Sequence, residues 1–166
     1  MSTLADRPAT LALRRAMEAR DLPAVLDAFA PDAVVRSPLT GRLTFRGRQQ
    51  IGAVMEVILE VFQDLRYTDE LHSAGSAVLV AGAHVGGSEI EMVDHMRLDD
   101  SEKITELTVF FRPLPATAVA MRLIAGGLGR RKSAGRGLAL SLLTQPLGAM
   151  TAMGDRLGVR LVKPTL

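Results

Sequence analysis

The stretch "IEMVDHMRL" (residues 90–98) alternates between apolar and polar side chains, which is the pattern of a β-strand with one buried face. One of its faces carries two methionines, an isoleucine and a leucine, and Asp94 lies in the middle of them. An ionised carboxylate is costly to bury because it loses its hydration, so its pKa rises and it takes up a proton. Asp94 is therefore a candidate protonated acid that faces the inside of the protein.

Three more strand-like runs surround this stretch, at residues 65–72, 76–86 and 103–111. Only short breaks, rich in glycine or charge, separate the four runs. Such short connections predict antiparallel neighbours, because a parallel pair of strands needs a long crossover.

Helical spacing of apolar residues precedes these strands. It predicts one helix over residues 9–20, a second that Asp21 caps, and a third over residues 47–65, with a short strand before the third. The order is helix, helix, strand, helix and four strands, which indicates an α+β fold with a curved antiparallel sheet and helices on one face.

Composition places the chain among soluble globular proteins, with 166 residues, 48% hydrophobic and 23% charged. Cysteine is absent, which excludes disulfides and thiolate chemistry. The first ten residues lack the apolar run of a secretory signal, so a cytoplasmic location is expected. No cofactor is expected.

Charge divides the chain into two parts. Residues 1–111 hold 11 Lys and Arg against 17 Asp and Glu, whereas residues 112–166 hold 9 against one. Pro113 and Pro115 end the last predicted strand. Together with the change in charge, they predict a domain over residues 1–115 and a helical C-terminal extension over residues 116–166, packed on the domain or at a dimer interface.

The extension raises two alternatives. Its residues 137–154 are uncharged, and their length nominally suits a membrane span, but their glycines and Pro146 favour a packed helix pair. A basic, glycine-broken link precedes them, and no aromatic residue follows Phe111, so nucleic acid has no stacking platform. Neither a nucleic-acid partner nor membrane contact is expected. The basic residues of this link are Arg130, Arg131, Lys132 and Arg136.

Four segments resemble the nuclear transport factor 2-like superfamily, and within it the SnoaL-like and steroid Δ-isomerase-like branch. They are residues 19–41, 45–55, 93–98 and 103–111. The resemblance implies a cone, in which a bent antiparallel sheet wraps against helices around an apolar pocket. Members of the superfamily include isomerases, epoxide hydrolases, cyclases, dehydratases and binding proteins, so function has to be argued from the site.

Carried over residue by residue, the resemblance matches only part of the isomerase machinery. Asp94 stands where isomerases keep a protonated acid beside a tyrosine. Ser37, before Pro38, stands where their basic aspartate belongs, and Leu13 where their tyrosine belongs. The candidate catalytic residues are Asp94 with Ser37 or His84 opposite it. The acid–arginine–acid pattern of the epoxide hydrolases cannot be completed.

The pocket is expected to be lined by apolar side chains, and no metal site is expected because no two histidines have ligand spacing. The predicted function is binding of a small apolar molecule, polycyclic or steroid- or polyketide-like, with isomerase-, cyclase- or hydrolase-type turnover. The alternatives are a non-catalytic binding protein, or an assembly protein whose tail drives oligomers; a homodimer is expected. The predicted ligand-binding residues are Leu13, Met17, Val35, Met55, Phe62, Met92, Met96 and Phe110.

Overall fold

The structure is a computed structural model that describes residues 8–38, 40–132, 150–151 and 153–155. Residues 8–38 and 40–132 contain four helices and six strands, and the described residues beyond them are also helical. In chain order they are α1 (Pro8–Ala19), α2 (Leu22–Asp27), β1 (Phe29–Arg36), β2 (Thr44–Arg46), α3 (Gly47–Val61), β3 (Phe62–Ser73), β4 (Ser76–Val85), β5 (Ser88–Leu98), β6 (Ile104–Arg112) and α4 (Leu114–Lys132).

The six strands form one sheet in the order β2-β1-β6-β5-β4-β3. The last four strands pair antiparallel with their sequence neighbours, which confirms the prediction from the short breaks. β1 joins the sheet parallel to β6 and antiparallel to β2. The predicted α+β fold with a curved sheet and helices on one face is confirmed, whereas β2, only three residues long, was not predicted.

The alternation along β5 is as predicted. The burial of successive residues switches between the two faces, and the residues on the inner face are Ile90, Met92, Asp94, Met96 and Leu98. We call this helix-covered side of the sheet its inner face and the opposite side its outer face.

β3 departs from simple alternation at two bulges, between Gln63 and Arg66 and between Tyr67 and Asp69. At each bulge β3 contains one residue more than the paired segment of β4. Asp64, in the first bulge, has a positive φ of 53°. An extra residue in a strand moves the side chains that follow it to the opposite faces of the sheet. Side chains of β3 three residues apart therefore both reach the inner face.

α2 and the start of α3 follow their sequence signals closely, whereas α3 ends at Val61, four residues before the predicted end, and residues 62–65 begin β3. The carboxylate of Asp21 accepts a hydrogen bond of 3.1 Å from the backbone N–H of Ala24, as expected for the cap of α2. α3 buries one face against the sheet. Its buried residues are Ile51, Val54, Met55, Val57 and Leu59.

α4 extends further than the sequence suggested. Arg130, Arg131 and Lys132, interpreted above as part of a basic link, lie in its last turn. Glycine costs a helix only about 1 kcal/mol per residue, and here packing offsets that cost. Gly127 lies against Val57 of α3, and the guanidinium of Arg131 lies 3.1 Å from the carboxylates of both Glu56 and Glu60.

The division of the chain at residue 115 stays a prediction. Most of residues 137–154 and Arg136 lie outside the described residues, as does Leu39 in the loop after β1. Of the helices in the described ranges, none has the length and apolarity to cross a membrane.

Candidate functional site

A cavity of about 160 Å³ lies between the inner face of the sheet and helices α1, α3 and α4. Its walls are almost wholly apolar, with phenylalanine, methionine, leucine, isoleucine and valine side chains from both layers. Among the described residues, four lining residues carry polar side chains. They are Ser37, Thr40, Tyr67 and Asp94.

Asp94 lies on β5, at the centre of the sheet, with 6% of its surface exposed. The hydroxyl of Tyr67 donates a hydrogen bond of 3.3 Å to its Oδ2. Burial raises the pKa of the Asp94 carboxyl from 3.8 to about 7, and the hydrogen bond from Tyr67 partly opposes that rise. Near neutral pH the carboxyl is therefore protonated in a large fraction of molecules.

Tyr67 stays neutral over the same range. Burial raises its pKa well above 10, and the nearby Asp94 carboxylate adds to the rise, because a second negative charge beside the first is unfavourable. The phenol therefore acts as a hydrogen-bond donor toward Asp94.

The bulges of β3 bring Tyr67 to the inner face. It pairs with Ala81 of β4, whose small side chain leaves room for the phenol to reach across that strand to β5. The backbone N–H of Tyr67 donates a hydrogen bond of 3.0 Å to the carboxylate of Glu18 on α1. This bond ties the tyrosine to the helix layer.

Ser37 lies just beyond the end of β1 and lines the same cavity as Asp94. Its backbone N–H donates a hydrogen bond of 3.2 Å to the carbonyl of Leu43, which closes the loop that begins with Pro38. The serine side chain is half-buried. One of the two groups expected opposite Asp94 is thus in the cavity wall.

His84 is not in that wall, and the expectation that it faces Asp94 is corrected. It lies on the outer face of β4, where 46% of its side chain is exposed, and its Nδ1 is 3.6 Å from the carboxylate of Asp64. The reason is strand parity, since the neighbouring Ala83 and Val85 point inward.

Six of the eight predicted ligand-binding residues line the cavity, and two lie elsewhere. Met96 is fully buried on the inner face of β5 but packs within the core rather than against the cavity. Phe110 points to the outer face of β6 and is 57% exposed, because Val109 and Phe111 take the cavity side. The six that line it are Leu13, Met17, Val35, Met55, Phe62 and Met92.

Among the lining residues that sequence reasoning missed, two groups matter most for the site. Tyr67 is the chain's only tyrosine, but the isomerase pattern places the phenol on the first helix, where Leu13 stands, so the strand residue was set aside. The signal in the sequence was that the chain has no other tyrosine that could act as the partner of Asp94. The second group is the wall contributed by α4, which consists of Met121, Ile124, Ala125 and Leu128.

A second buried acid lies on β3 but does not line the cavity. Glu70, whose side chain is wholly buried, accepts a hydrogen bond of 2.8 Å from the guanidinium of Arg14 on α1. The hydroxyl of Thr10 also donates to it, and Nε2 of His72 lies 2.6 Å from the same carboxylate. This cluster joins α1 to β3 outside the cavity wall.

Within the described part of the chain, no group of three or more histidine, aspartate and glutamate side chains is arranged to hold a metal ion. The carboxyl of Glu70 is occupied by side chains of α1, and that of Asp94 accepts a hydrogen bond from Tyr67. The polar groups of the described cavity wall are the carboxyl of Asp94, the phenol of Tyr67 and the hydroxyls of Ser37 and Thr40, in apolar surroundings.

The model of the SnoaL-like domain family matches residues 11–107. This match includes most of α1, every element from α2 to β5 and the first part of β6, and so it contains both Tyr67 and Asp94. The comparison with curated proteins gives no match.

Solved structures with the same fold cover most of the chain. A steroid Δ-isomerase from Pseudomonas aeruginosa is 29% identical, with a TM-score of 0.64, over 80% of this chain and 96% of that one. An uncharacterised protein with a cystatin-like fold from Silicibacter pomeroyi is 20% identical, with a TM-score of 0.69, over 82% and 94%. A candidate polyketide cyclase from Sinorhizobium meliloti is 18% identical, with a TM-score of 0.55, over 66% and 99%.

Proposed function

The chain belongs to the SnoaL-like domain family, and from this premise we propose that its cavity binds an apolar molecule that carries one oxygen acceptor, which the protonated Asp94 holds. The fold is that of proteins that bind small molecules or act as isomerases and cyclases. The observation that supports this function is the hydrogen-bonded pair of Tyr67 and Asp94 in an almost wholly apolar wall.

The two oxygens of the Asp94 carboxyl have different roles in this arrangement. Oδ2 accepts the hydrogen bond from Tyr67, so the proton of the neutral acid is held best on the other oxygen. That O–H can donate to the oxygen of a ketone in the cavity. A donor in apolar surroundings stabilises such an oxygen more as it gains negative charge.

Proton removal from a bound ketone also requires a base. Ser37 lines the cavity at the position of the isomerase base, but an unassisted hydroxyl has little basicity near neutral pH. Among the described lining residues only Asp94 carries a carboxyl, and none carries an imidazole or an amine. We therefore place binding and polarisation of the ligand first, with turnover depending on Asp94 itself.

The test uses a cyclic ketone, with binding measured by calorimetry across a pH range. Binding requires neutral Asp94, so affinity is expected to fall above about pH 7, approaching about tenfold per pH unit. Asp94→Asn keeps a donor but cannot ionise, so its affinity is expected not to change with pH. The exposed Asp32→Asn on β1 is the matched control.

Exchange of the ketone's α-hydrogens for deuterium, followed by NMR, separates turnover from binding. Exchange that the wild type catalyses and Asp94→Asn does not would support an acid/base enzyme. Saturable binding without exchange would support a non-catalytic binding protein. Absence of ketone binding by the folded wild type at any pH would refute the proposed function.

Assembly as a homodimer belongs to the same proposal, and the outer face of the sheet supports it. Phe110, 57% exposed, continues a cross-strand row through Val93 to Val80. Beside this row Arg112 and Glu91 form an ion pair of 3.0 Å, so the face carries both charges and can complement a second copy of itself.

Light scattering tests the dimer. Phe110→Ser is expected to yield monomers, whereas Leu114→Ser, at a leucine at the start of α4 that is 66% exposed, is expected to leave the mass unchanged. A wild-type chain that is monomeric at high concentration would rule the dimer out. A cytoplasmic location stays a prediction from the sequence.

A further inference from the structure

The size of the cavity restricts its ligand, and we propose that it takes uncharged molecules with a single six-membered ring and excludes fused polycyclic ones. The inference rests on the proposed function, because it names the ligand class of the same site. It also assigns the size limit to α4, through the side chains of Met121, Ile124 and Leu128.

Volume is the first argument. The cavity measures about 160 Å³. An engineered apolar cavity of about 150 Å³ in another protein binds benzene, which sets the scale for one six-membered ring. A steroid nucleus has roughly three times as many carbon atoms as benzene, so it cannot be enclosed in a space of this size.

The second argument is that the α4 wall is fixed along its length. A Cβ atom added at Gly127 would lie 2.6 Å from Cγ1 of Val57, so the backbone of α4 packs directly on α3. Nearer its start, a Cβ atom added at Gly86 would lie 2.7 Å from Cγ1 of Val119, so α4 is equally close to the turn between β4 and β5. Moving the helix outward would open both contacts.

The C-terminal end of α4 is held in addition by charge. Arg131 lies 3.1 Å from Glu56 and from Glu60, two acids one turn apart on α3. Exposed ion pairs of this kind contribute little energy, but they fix the direction of the helix end. The cavity is therefore expected to enlarge only when the side chains that line it become smaller.

Two of the α4 side chains that line the cavity differ in how freely they can change conformation. Met121 is unbranched and can change rotamer, whereas Ile124 is β-branched and has little freedom within a helix. A bicyclic ligand is therefore expected to bind weakly, and a tetracyclic one not at all.

Charge decides the remaining property of the ligand. No lysine or arginine is among the described lining residues, so a carboxylate or phosphate group would be buried without a counter-charge. The hydrogen-bonded pair of Asp94 and Tyr67 suits one oxygen at one end of an otherwise apolar molecule. Monocyclic enones and related terpenoid ketones have this form.

The experiment compares four uncharged enones of increasing size, with calorimetry below about pH 6, where Asp94 is protonated. They are cyclohexenone, carvone, a bicyclic octalone and testosterone. Carvone is expected to bind most tightly, octalone at least about tenfold more weakly, and testosterone without a detectable signal.

Variants of α4 test whether that helix sets the limit. Met121→Ala and Leu128→Ala are each expected to improve octalone binding by about tenfold relative to carvone. Leu123→Ala is the matched control, since it removes the same kind of side chain from the same helix without lining the cavity. Ala125→Leu adds bulk instead and is expected to abolish carvone binding, which tests the proposal even if the truncated variants fold poorly.

The outcomes separate the two proposals. Testosterone bound by the wild type as tightly as carvone would overturn the size limit and leave the proposed function standing. If Leu123→Ala changes octalone binding relative to carvone as much as Met121→Ala does, the proposed role of the α4 side chains in the cavity wall is overturned. Failure of all four enones to bind the folded wild type would overturn both proposals.

Discussion

The Tyr67 hydroxyl on β3 and the Asp94 carboxyl on β5 lie 3.3 Å apart across the intervening strand β4. The two residues are thus neighbours in space without being paired in the sheet. Each changes the protonation of the other, and several measurable consequences follow from this arrangement.

Tyr67→Phe is expected to raise the pKa of Asp94 above about 7. The hydrogen bond from the phenol favours the ionised carboxylate and is the group that opposes the effect of burial, so its loss leaves burial unopposed. The carboxyl carbon of Asp94, followed by NMR through a pH titration, reports the change. An unchanged or lower midpoint in the variant would contradict the role assigned to Tyr67.

Asp94→Asn is expected to flatten the pH dependence of stability. The folded-state pKa of about 7 lies above the unfolded value of 3.8, so the folded protein binds the extra proton between those values. The stability that this proton contributes is fully present below about pH 4 and is lost as pH rises to about 7. The loss is on the order of 4 kcal/mol for the wild type.

Urea denaturation of the wild type and Asp94→Asn, at intervals from about pH 4 to about pH 8, measures this loss. Asp32→Asn, at an exposed acid, should follow the wild type throughout. Parallel curves for the wild type and Asp94→Asn would show that Asp94 does not titrate in this window.

Arg14→Ala is expected to destabilise the protein by about 2–3 kcal/mol, because it leaves the buried Glu70 carboxylate without its cationic partner. Arg36→Ala is the matched control, since it breaks an ion pair of 3.0 Å with Glu106 in which both side chains are partly exposed. Its cost is expected to stay below about 1 kcal/mol. Equal losses in thermal or urea unfolding would contradict this difference.

Gly127→Ala is expected to lower the free energy of unfolding by about 1–3 kcal/mol, although alanine favours helix. The added methyl group would lie 2.6 Å from Cγ1 of Val57, so α3 and α4 would have to separate. Gly52→Ala in α3 is the control, because its methyl group would lie 3.4 Å from the movable Cδ1 of Leu26. That variant should be neutral or stabilised, and a stabilised Gly127→Ala would contradict the close packing of the helices.

Alternation and capping made much of the fold predictable. β5 needed only its own sequence, since each inner residue recurs at every second position around Asp94. The cap at Asp21 is equally local, because the side chain bonds to the backbone N–H three residues later. The parallel pairing of β1 with β6 is not local, and the sequence of neither strand encodes it.

The candidate site was predictable only in part, for physical reasons that differ from residue to residue. Asp94 is visible because an acid interrupts an apolar face. Tyr67 is harder to place, because the bulges on either side of it break the alternation by which a strand residue is assigned to a face. Met121 and Leu128 were not assigned to the cavity, since α4 reaches it through tertiary packing on α3 and on strands β4 to β6.

The second bulge of β3 also bears on how this chain should be aligned with its relatives. Tyr67 pairs with Ala81 and Glu70 with Leu79, so three steps along β3 match two along β4. A relative without the extra residue would carry its two inward polar side chains two positions apart rather than three. With a gap at Thr68, the alignment would match both Tyr67 and Glu70 to the inward polar residues of that relative. Without the gap, it would match one of them to a residue on the outer face.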